Sequence, residues 1–366
     1  MKPKVAVVGG GIVGLACAYQ AALLGAEVQV FEQNPRAVGA SIRNFGMIWP
    51  VGQGDATRTI ADRSREIWGD LSAKFGFWSD PCGSLHLAHA EDEMQVLEEF
   101  QALRPEAKIL TREEVIDSYG WVKQRGLVGG LFSPTELCVY SPEAVASVAA
   151  GLAGHFGVRF HFEAAVTHFE ESSLWASGQK HEFDHAFVCT GHENRALFPE
   201  AFDPEKLIKC RLQMFRSKPV APMGVMACGG LTLAHYAGFD SCPTLPALKE
   251  RFAKDYPLQN ANGIHILISQ HVDGRLTLGD SHHYSNDVTP FNSEEVDDLI
   301  LEYLNTLIDF PLEIDERWQG VYLKRKDEPY LVKEVKEKVT LVNGLGGAGM
   351  TLSFGLGEKV VREVLI

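Results

Sequence analysis

The sequence has no CxxC motif, no internal repeat and no Lys/Arg cluster long enough to form a basic face. Its seven cysteines are an odd number without paired spacing, which excludes a zinc ribbon or a disulfide framework and predicts a cytoplasmic protein with reduced thiols. The 34 basic and 48 acidic residues give a net charge of -14. A surface of that sign repels nucleic acid and anionic membranes, so we expect neither as a partner.

The hydropathy of the sequence also predicts no membrane-spanning helix. Residues 5–26 carry no charge, but five glycines interrupt them, and glycines suit a turn better than a lipid-spanning helix. The composition, 45% hydrophobic and 22% charged, is that of a soluble globular protein. The length of 366 residues corresponds to about two domains.

The N-terminal region has the pattern of a βαβ unit. The hydrophobic spacing predicts strands over 4–8 and 28–31, with a helix over 12–24 that ends at Gly25. This arrangement indicates an α/β domain with a parallel sheet.

A GxGxxG motif lies between the first strand and the helix. It consists of Gly9, Gly11 and Gly14, and Glu32 stands at the end of the second strand. In this context the first glycine permits the turn, the second lets the backbone approach a pyrophosphate, and the third lets the helix pack on the strand. We therefore predict that the helix N-terminus binds a dinucleotide and that Glu32 accepts hydrogen bonds from the adenosine ribose.

Further elements follow from periodicity and capping signals. Helices are predicted over 60–75 and 91–103, from Ser141 as N-cap onward, and over 292–308 with Asn292 as N-cap. Strands are predicted over 158–163, 186–189, 264–269, 275–279 and 339–342, the third and fourth as a hairpin. Between about 205 and 320 the pattern predicts mostly strands and one long helix.

A second GxGxxG, formed by Gly344, Gly346 and Gly349, follows the predicted strand 339–342. Only 17 residues remain after Gly349, too few for another strand with its acidic ribose ligand. We predict instead that these glycines precede a last helix, ending near Leu365, whose N-terminus faces some other electron-rich group.

Several segments, in this order, resemble the FAD-binding segments of the D-amino acid, glycine and sarcosine oxidase superfamily. They are VAVVGGGIVG (5–14), Glu32, GAS (39–41), VCTG (188–191) and GGAGMTLS (346–353). More narrowly, SIRNFG (41–46), RWQGVY (317–322) and 346–353 are similar to a subgroup of FAD oxidoreductases associated with 2-aminoethylphosphonate breakdown.

The resemblance implies an α/β plus α+β fold like that of D-amino acid oxidase. A Rossmann-like FAD-binding domain, expected over 1–78, 142–204 and 321–366, would be interleaved with a mostly antiparallel-sheet substrate domain over 79–141 and 205–320. The protein would be a monomer or a homodimer.

The resemblance also implies which residues hold FAD. Those at the adenosine diphosphate half would be Gly9, Gly11, Ile12, Val13, Gly14, Glu32, Gln33, Ser41, Val166, Thr190 and Gly191. Those beside the flavin would be Arg43, Asn44, Phe45, Gly46, Gly346, Gly347, Gly349, Met350 and Thr351. Some sarcosine oxidases attach their flavin through a cysteine at the position of Gly320, so the FAD here is predicted to be non-covalent.

Oxidation of a small amine requires the substrate to be oriented, and a charged substrate is oriented best by an anion-binding group. The candidates to contact substrate are Arg43, His235, Tyr236, His282, Tyr322 and Lys324. Tyr322 matches a position where glycine oxidases present an arginine to the substrate carboxylate, so simple glycine oxidation is disfavoured and the anion would bind Lys324 or Arg43.

Each candidate also has a structural interpretation. Arg43 could neutralise an FAD phosphate, His235 and Tyr236 could be core strand residues, and Lys324 could belong to a solvated charge run. His282 and His283 are neighbours on a predicted strand and point to opposite faces, so no metal site is predicted.

We therefore expect an FAD-dependent oxidase of a small anionic, preferably secondary amine, such as an N-alkyl aminophosphonate, sarcosine or iminodiacetate, with oxygen as acceptor and hydrogen peroxide as product. Two alternatives stay open: an NADPH-dependent flavin monooxygenase, because residues 276–283 echo a Gly-Asp segment of aromatic hydroxylases, and a flavin-carrying subunit without turnover of its own. The residues do not choose between carboxylate and phosphonate, or between oxidase and dehydrogenase.

Overall fold

The computed structural model of the protein describes residues 2–193 and 195–366. Its helices are α1 (Ile12–Leu23), α2 (Asp55–Phe75), α3 (Glu91–Leu103), α4 (Arg112–Ser118), α5 (Ser141–Phe156), α6 (Leu231–His235), α7 (Leu245–Asp255), α8 (Pro257–Ala261), α9 (Glu294–Leu304) and α10 (Gly349–Leu365). Its strands are β1 (Lys4–Val8), β2 (Glu27–Phe31), β3 (Met47–Ile48), β4 (Ser79–Asp80), β5 (Ser84–Ala88), β6 (Lys108–Thr111), β7 (Gly129–Ser133), β8 (Leu137–Val139), β9 (Arg159–His161), β10 (Val166–Phe169), β11 (Ser173–Ala176), β12 (Gln179–Glu182), β13 (His185–Val188), β14 (Leu207–Ser217), β15 (Met226–Cys228), β16 (Leu267–Gln270), β17 (Leu276–Gly279), β18 (His283–Tyr284), β19 (Ile314–Arg325), β20 (Leu331–Lys336) and β21 (Val339–Asn343).

One large sheet is almost entirely parallel. Its strand order is β20-β21-β13-β1-β2-β9, and only β20 runs antiparallel to its neighbour. Val5 and Val7 of β1 pack with α1, α5 and α10, whereas Ala6 and Val8 pack with the small sheet β10-β11-β12 on the other face. Both faces are covered, which accounts for the unbroken apolar runs in these strands. The predicted βαβ opening is confirmed.

The second large sheet is mostly antiparallel. Its order is β18-β14-β17-β16-β15-β5-β7-β6, with β19 paired along β14, and only β15 and β5 run parallel. The predicted hairpin is confirmed as β16 and β17. The combination of a Rossmann-like sheet with a mostly antiparallel one is the expected fold class. The expected domain boundary between residues 320 and 321 falls inside β19, which pairs with β14 on both sides of that point.

The range 205–320 holds more helix than the sequence indicates. The interpretation of His235 and Tyr236 as core strand residues is wrong, because they lie at the end of helix α6, and α7 and α8 follow. The alternation of leucine with polar residues suggests a strand, but the backbone N-H of Leu231 donates to the Tyr303 hydroxyl at 3.1 Å, and the Thr232 hydroxyl donates to the carbonyl of Gly229. These contacts favour the helical turn over an extended chain.

Two predicted helix caps are wrong by one residue. Ser141 is the first residue of α5, and its hydroxyl donates to Asn44 Oδ1 at 2.7 Å instead of capping the helix. Helix α9 begins after Ser293, whose hydroxyl accepts from the N-H of Val296, while Asn292 accepts a hydrogen bond from Gln319. In both cases a tertiary partner takes the side chain that the local pattern assigns to the cap.

The last helix is confirmed as α10, which begins at Gly349 and ends at Leu365. It packs against α1 and α2 beneath the parallel sheet. Across the described residues, no helix combines the length and the apolar composition needed to cross a bilayer.

Candidate active site

A cavity of about 680 Å³ extends from the glycine turn after β1 to the end of α6. Both large sheets contribute to its walls, with Val8 on one side and Leu212 and Met214 on the other. Of the predicted cofactor-binding residues, Gly14 and Gly46 do not line it, and the others do. All six predicted substrate-contact residues line it as well.

The turn after β1 is shaped by close backbone contacts. A Cβ on Gly14 would overlap the carbonyl oxygen of Gly9, so this glycine lets α1 pack on the turn even though it does not face the cavity. Gly9 has φ +107°, a conformation that side chains rarely adopt, and a Cβ there would overlap the carbonyl of Cys189. These contacts leave backbone, and not side chains, facing the cavity.

Two side chains hold this turn in place. Glu32 accepts hydrogen bonds from the N-H of Gly10 at 2.8 Å and from the N-H of Asn34 at 2.9 Å, and Ser41 Oγ accepts from the N-H of Ile12 at 2.9 Å. Ser41 thereby satisfies one of the free donors at the N-terminus of α1. Glu32 Oε1 also accepts from the side-chain amide of Asn34, whereas Oε2 accepts only from Gly10 among the described groups and keeps a lone pair for a further donor such as a ribose hydroxyl.

Asn44 organises the loop that leads from β2 to β3 along the cavity. Its amide donates to the carbonyls of Ala40 and Ser41 at 2.9 and 3.0 Å, and its oxygen accepts from the N-H of Gly46 at 2.8 Å. Gly46, at φ +72°, lies behind the wall, where a Cβ would overlap the carbonyl of Val139. The loop therefore presents Phe45 to the cavity with the backbone fixed on both sides.

The C-terminal glycines form the opposite wall. Gly346 begins a short 3₁₀ turn at φ +61°, and α10 starts at Gly349. The carbonyl of Met350 accepts from Trp68 Nε1 at 2.8 Å, and Thr351 Oγ1 accepts from the N-H of Trp49 at 3.0 Å. The N-terminus of α10, with its free N-H groups and positive dipole end, therefore faces the cavity.

Two cations face the cavity without an acidic partner among the described residues. Lys324 Nζ lies 3.4 Å from the Tyr284 hydroxyl, and Arg43 Nη1 donates to the carbonyl of Gln319 at 3.3 Å. Arg325, next to Lys324, is by contrast paired with acidic side chains. Only Lys324 and Arg43 thus carry positive charge that a bound anion could neutralise at this wall.

A cluster of imidazoles closes the end of the cavity next to α6. The ring of His265 stacks on that of His235 at 4.0 Å and lies 4.8 Å from that of His282. His265 Nε2 lies 3.1 Å from the Tyr236 hydroxyl, and its Nδ1 lies 3.3 Å from Asp280 Oδ1. We call these five residues the histidine cluster.

Sequence reasoning missed two members of this cluster. His265 precedes β16 as a lone histidine between isoleucines, and Asp280 follows β17 in a segment that was compared with hydroxylases. The only available signal is the predicted hairpin, which places the two residues opposite each other. The Gly279-Asp280 segment lies in this cluster and not at the C-terminal glycine turn.

Nitrogens of His235, His265 and His282 lie within 4.8 Å of one another, close enough to consider a metal ion. The fit is poor, because His265 Nε2 is hydrogen-bonded to the Tyr236 hydroxyl and the His265 ring is stacked on His235 at an interplanar angle of 26°. Stacked rings do not direct their nitrogens at one ion. The chemistry of the cluster is therefore better described as a hydrogen-bonded network.

Burial sets the protonation of this network. It lowers the pKa of His265 and His282 well below the usual value, and it lowers the pKa of His235 to about 4, an effect to which the charge of Lys324 adds. Burial raises the pKa of the Asp280 carboxyl well above its usual value. The imidazoles are therefore neutral at pH 7.

Comparison with curated proteins gives short or partial matches. A D-amino acid dehydrogenase of Helicobacter pylori is 54% identical over 48 residues, which are 13% of this chain and 12% of that protein. A bifunctional protein ThiO/ThiG of Nostoc is 25% identical over 243 residues, 61% of this chain and 36% of that protein. The aligned part is thus well under two thirds of either relative.

Solved structures match over nearly the whole chain. L-proline dehydrogenase of P. horikoshii has a TM-score of 0.81 at 18% identity, covering 100% of this chain and 93% of its own. Glycine oxidase of Bacillus cereus has 0.77 at 19%, covering 99% and 95%, and iminodiacetate oxidase of Chelativorans has 0.72 at 17%, with the same coverage. At these identities the likeness establishes the fold.

The family model described as DAO, FAD dependent oxidoreductase, matches residues 4–363, and the glycine turn, Glu32 and the N-terminus of α10 provide a cavity that fits a flavin dinucleotide. The chain therefore belongs to the DAO family of FAD-dependent oxidoreductases, and FAD is its cofactor.

Proposed function

We propose that the protein oxidises a small anionic amine, preferably a secondary amine, at the end of the cavity next to the histidine cluster. The observation that carries this proposal is Lys324, a cation without an acidic partner in the described structure, at the wall between the C-terminal glycine turn and that cluster. A dipolar substrate could place its anion on Lys324 and its amine toward the cluster.

The residues fit FAD in an extended arrangement. Glu32 and the turn after β1 would hold the adenosine diphosphate half, and the N-terminus of α10 would lie at the flavin, where its dipole stabilises negative charge. Bound FAD supplies the acceptor for the hydride that leaves the carbon beside the amine, and oxygen as final acceptor would yield hydrogen peroxide. The oxidised substrate is an imine, which water hydrolyses to an aldehyde and an amine.

Lys324 is a better anion-binding group than Arg43. The side-chain carbons of Lys324 would lie 3.5 to 3.8 Å from a Cβ on Gly346, so the lysine lies against the turn that precedes α10. Its charge lowers the pKa of His235 and His282, which places it near the cluster as well. Arg43 instead lies near His192: burial lowers the pKa of this histidine most, and the charge of Arg43 lowers it further. A position beside His192 suits a cation that faces the cofactor.

The substrate classes that fit are N-alkyl aminophosphonates and N-substituted glycines. Similarity in fold to glycine oxidase and iminodiacetate oxidase supports a small amino acid or imino acid, and the sequence similarity to the subgroup associated with 2-aminoethylphosphonate supports a phosphonate. Tyr322, where glycine oxidases have arginine, supports a substrate other than glycine.

Anaerobic bleaching of the flavin tests the proposal. Purified holoprotein is mixed with N-methyl-2-aminoethylphosphonate, sarcosine, iminodiacetate, glycine, D-alanine and an uncharged control such as N-methylethylamine. We expect bleaching by at least one anionic secondary amine and none by NADPH. Bleaching by NADPH alone would indicate a monooxygenase, and bleaching by the uncharged amine alone would refute the anion site.

Substitution of Lys324 locates the site. Loss of a charged hydrogen bond costs about 1.5 to 3 kcal/mol, so Lys324→Ala should raise the substrate concentration for half-maximal bleaching roughly 10- to 100-fold. Lys326→Ala is the matched control, because Lys326 is in the same basic run but does not line the cavity. Equal effects of the two substitutions would contradict the assignment.

A further inference from the structure

We propose that Tyr236, His265 and Asp280 form a relay that takes the proton from the ammonium group of the substrate. The inference rests on the proposed function, because it concerns the amine that this function oxidises. Tyr236 lines the cavity and His265 lies behind it, with His265 Nε2 3.1 Å from the Tyr236 hydroxyl. Asp280, which also lines the cavity, is the last member, with its Oδ1 3.3 Å from His265 Nδ1.

The reaction needs such an acceptor. An alkyl ammonium group titrates near 10, like that of lysine, so the substrate reaches the cavity protonated at neutral pH. A protonated nitrogen has no lone pair with which to form the C=N bond of the imine. One proton must therefore leave the nitrogen before the hydride leaves the carbon, and a buried site must provide a group that receives it.

The two inner members of the relay are held rigidly. The backbone N-H of Asp280 donates to the carbonyl of His265 at 2.9 Å, and the N-H of His265 donates to the carbonyl of Asp280 at 3.3 Å. This reciprocal pair joins the start of β16 to the end of β17. His265 Nδ1 and Asp280 Oδ1 are both buried, have no hydrogen-bond partner among the described groups, and lie 3.3 Å apart, which leaves each available to pair with the other.

The outer rings of the histidine cluster support this geometry. His235 stacks on one face of His265, and His282 Nδ1 lies 3.0 Å from the carbonyl of Gly263. The relay uses the tautomer of neutral His265 that carries its proton on Nδ1, so that Nε2 accepts from the Tyr236 hydroxyl. This arrangement is that of a hydroxyl activated through an imidazole by a buried carboxylate.

The transfer moves one proton and no electrons. The proton leaves the substrate nitrogen for the Tyr236 oxygen, while Tyr236 passes its own hydroxyl proton to His265 Nε2. The substrate becomes a neutral amine, and His265 passes its Nδ1 proton to the Asp280 carboxylate, so that both inner residues end uncharged, the form that burial favours for each. The relay is ready again after this proton is released to water.

The charge state of Asp280 sets the pH range of the relay. Because burial raises the pKa of Asp280, its carboxylate is a stronger base than an exposed one, and the relay operates only at a pH where this carboxyl is ionised. Other titratable groups facing the relay, on the elements packed against it, influence the same range. They are His235, Cys210, Cys228, Lys249, His282, His283, Tyr284, Tyr322 and Lys324.

The test compares holoprotein variants Tyr236→Phe, His265→Asn and Asp280→Asn by anaerobic bleaching with the best anionic amine across pH 6 to 10. General base catalysis contributes about 10²- to 10⁴-fold to a rate. At pH 7 each variant should therefore lose at least roughly 10²-fold in the limiting bleaching rate constant divided by the substrate Kd. The loss should shrink as the pH approaches the pKa of the free amine, because water then supplies the deprotonated substrate.

Two controls separate this role from a structural one. Binding of a trimethylammonium analogue of the substrate, which has no N-H, should be unchanged in the variants and is read from the flavin spectrum without turnover. His271→Asn is the matched substitution: His271 is buried, its Nε2 lies 2.8 Å from the Thr277 hydroxyl, and it lies at the other end of the same hairpin, away from the cavity. Its pH profile should match the wild type.

Three outcomes would overturn the relay. A loss of equal size at every pH would indicate a structural role, and wild-type rates in Tyr236→Phe and Asp280→Asn would exclude any role. A stoichiometric metal ion in the holoprotein that disappears in His265→Asn would reassign the cluster. In each case bleaching of the wild type by an anionic amine would leave the proposed function intact, whereas absence of that bleaching would refute the function itself.

Discussion

The two ends of the cavity are formed by different chemical groups. At the nucleotide end the wall is backbone: glycines at positions 9 and 14 permit contacts that any side chain would prevent, and the polar groups on offer are N-H groups of a helix N-terminus. At the substrate end the wall and the layer directly behind it are buried titratable side chains, among them Asp280 at the wall and His265 behind it. The first end binds through shape and partial charge, and the second end is able to exchange protons.

Sensitivity to substitution should therefore differ between the ends. A backbone site tolerates loss of a side chain but not the addition of one, because the close approach depends on the absence of Cβ atoms. A site made of buried titratable groups is sensitive to pH and to the removal of a single partner. The following experiments test this contrast, beginning with the largest expected effect.

The largest effect is expected for Gly14→Val. The new side chain would overlap the carbonyl of Gly9, so α1 could not pack on the turn, and the protein should be purified colourless and without FAD. Absorbance of the purified protein measures this directly. Gly154→Ala is the control, since a Cβ there meets no atom within 4 Å and alanine favours the helix. A yellow Gly14→Val protein would contradict the account of this end.

The next largest effect is expected from acid acting on the core beside the substrate end, where His86 packs on Trp49 of the cavity wall. His86, fully buried in β5 with its ring stacked on Trp49, has its pKa lowered to about 3 by burial. The native state therefore binds fewer protons than the unfolded state once the pH falls below the unfolded value of 6.5, and stability is lost from there down to about 3. The shift corresponds to roughly 3 to 5 kcal/mol over that range.

The measurement is the urea midpoint of wild type and of His86→Phe at pH 7 and pH 4.5. The phenylalanine variant has no proton to gain at this position, so its midpoint should fall less on acidification than that of the wild type. An equal fall in the two proteins would mean that His86 does not contribute to acid sensitivity.

The smallest effect is expected from removing a side chain at the nucleotide end. Ser41→Ala deletes the hydroxyl that accepts from the N-H of Ile12 and should cost about 1 kcal/mol of stability, like loss of a helix cap. FAD should still bind, with affinity reduced several-fold, as measured by fluorescence titration of the apoprotein. Complete loss of FAD would show that this end depends on side chains more than its geometry indicates.

The same contrast explains what the sequence could reveal. The nucleotide end is encoded within residues 4–32 and again near Gly346, because a glycine turn between a strand and a helix is a local pattern. The substrate end is assembled from α6, the start of β16, the end of β17 and β19, which only the fold brings together. His265 therefore has no local signature, and His235, Tyr236 and Lys324 could be predicted only as candidate contacts of a charged substrate.

Secondary structure follows the same rule. Long periodic segments such as α3 and α10 are predicted well, since many residues contribute to one amphipathic face. Leu231 to His235 is misleading, because five residues cannot distinguish a strand from one helical turn. The caps at Ser141 and Asn292 failed because distant side chains, those of Asn44 and Gln319, bind the groups that local rules assign to the helix.

Strand β19 restricts how far the two large sheets can move apart. It pairs with β14 along its length, and at its end the N-H of Arg325 donates to the carbonyl of Gly344 at 3.2 Å, while Lys324 forms a bridge with Leu345. A single strand thus fastens the antiparallel half to the chain segment that leads into α10. Hinge opening of the two halves would break these bonds, so we expect molecules to reach the flavin by displacement of surface loops while the two sheets stay together.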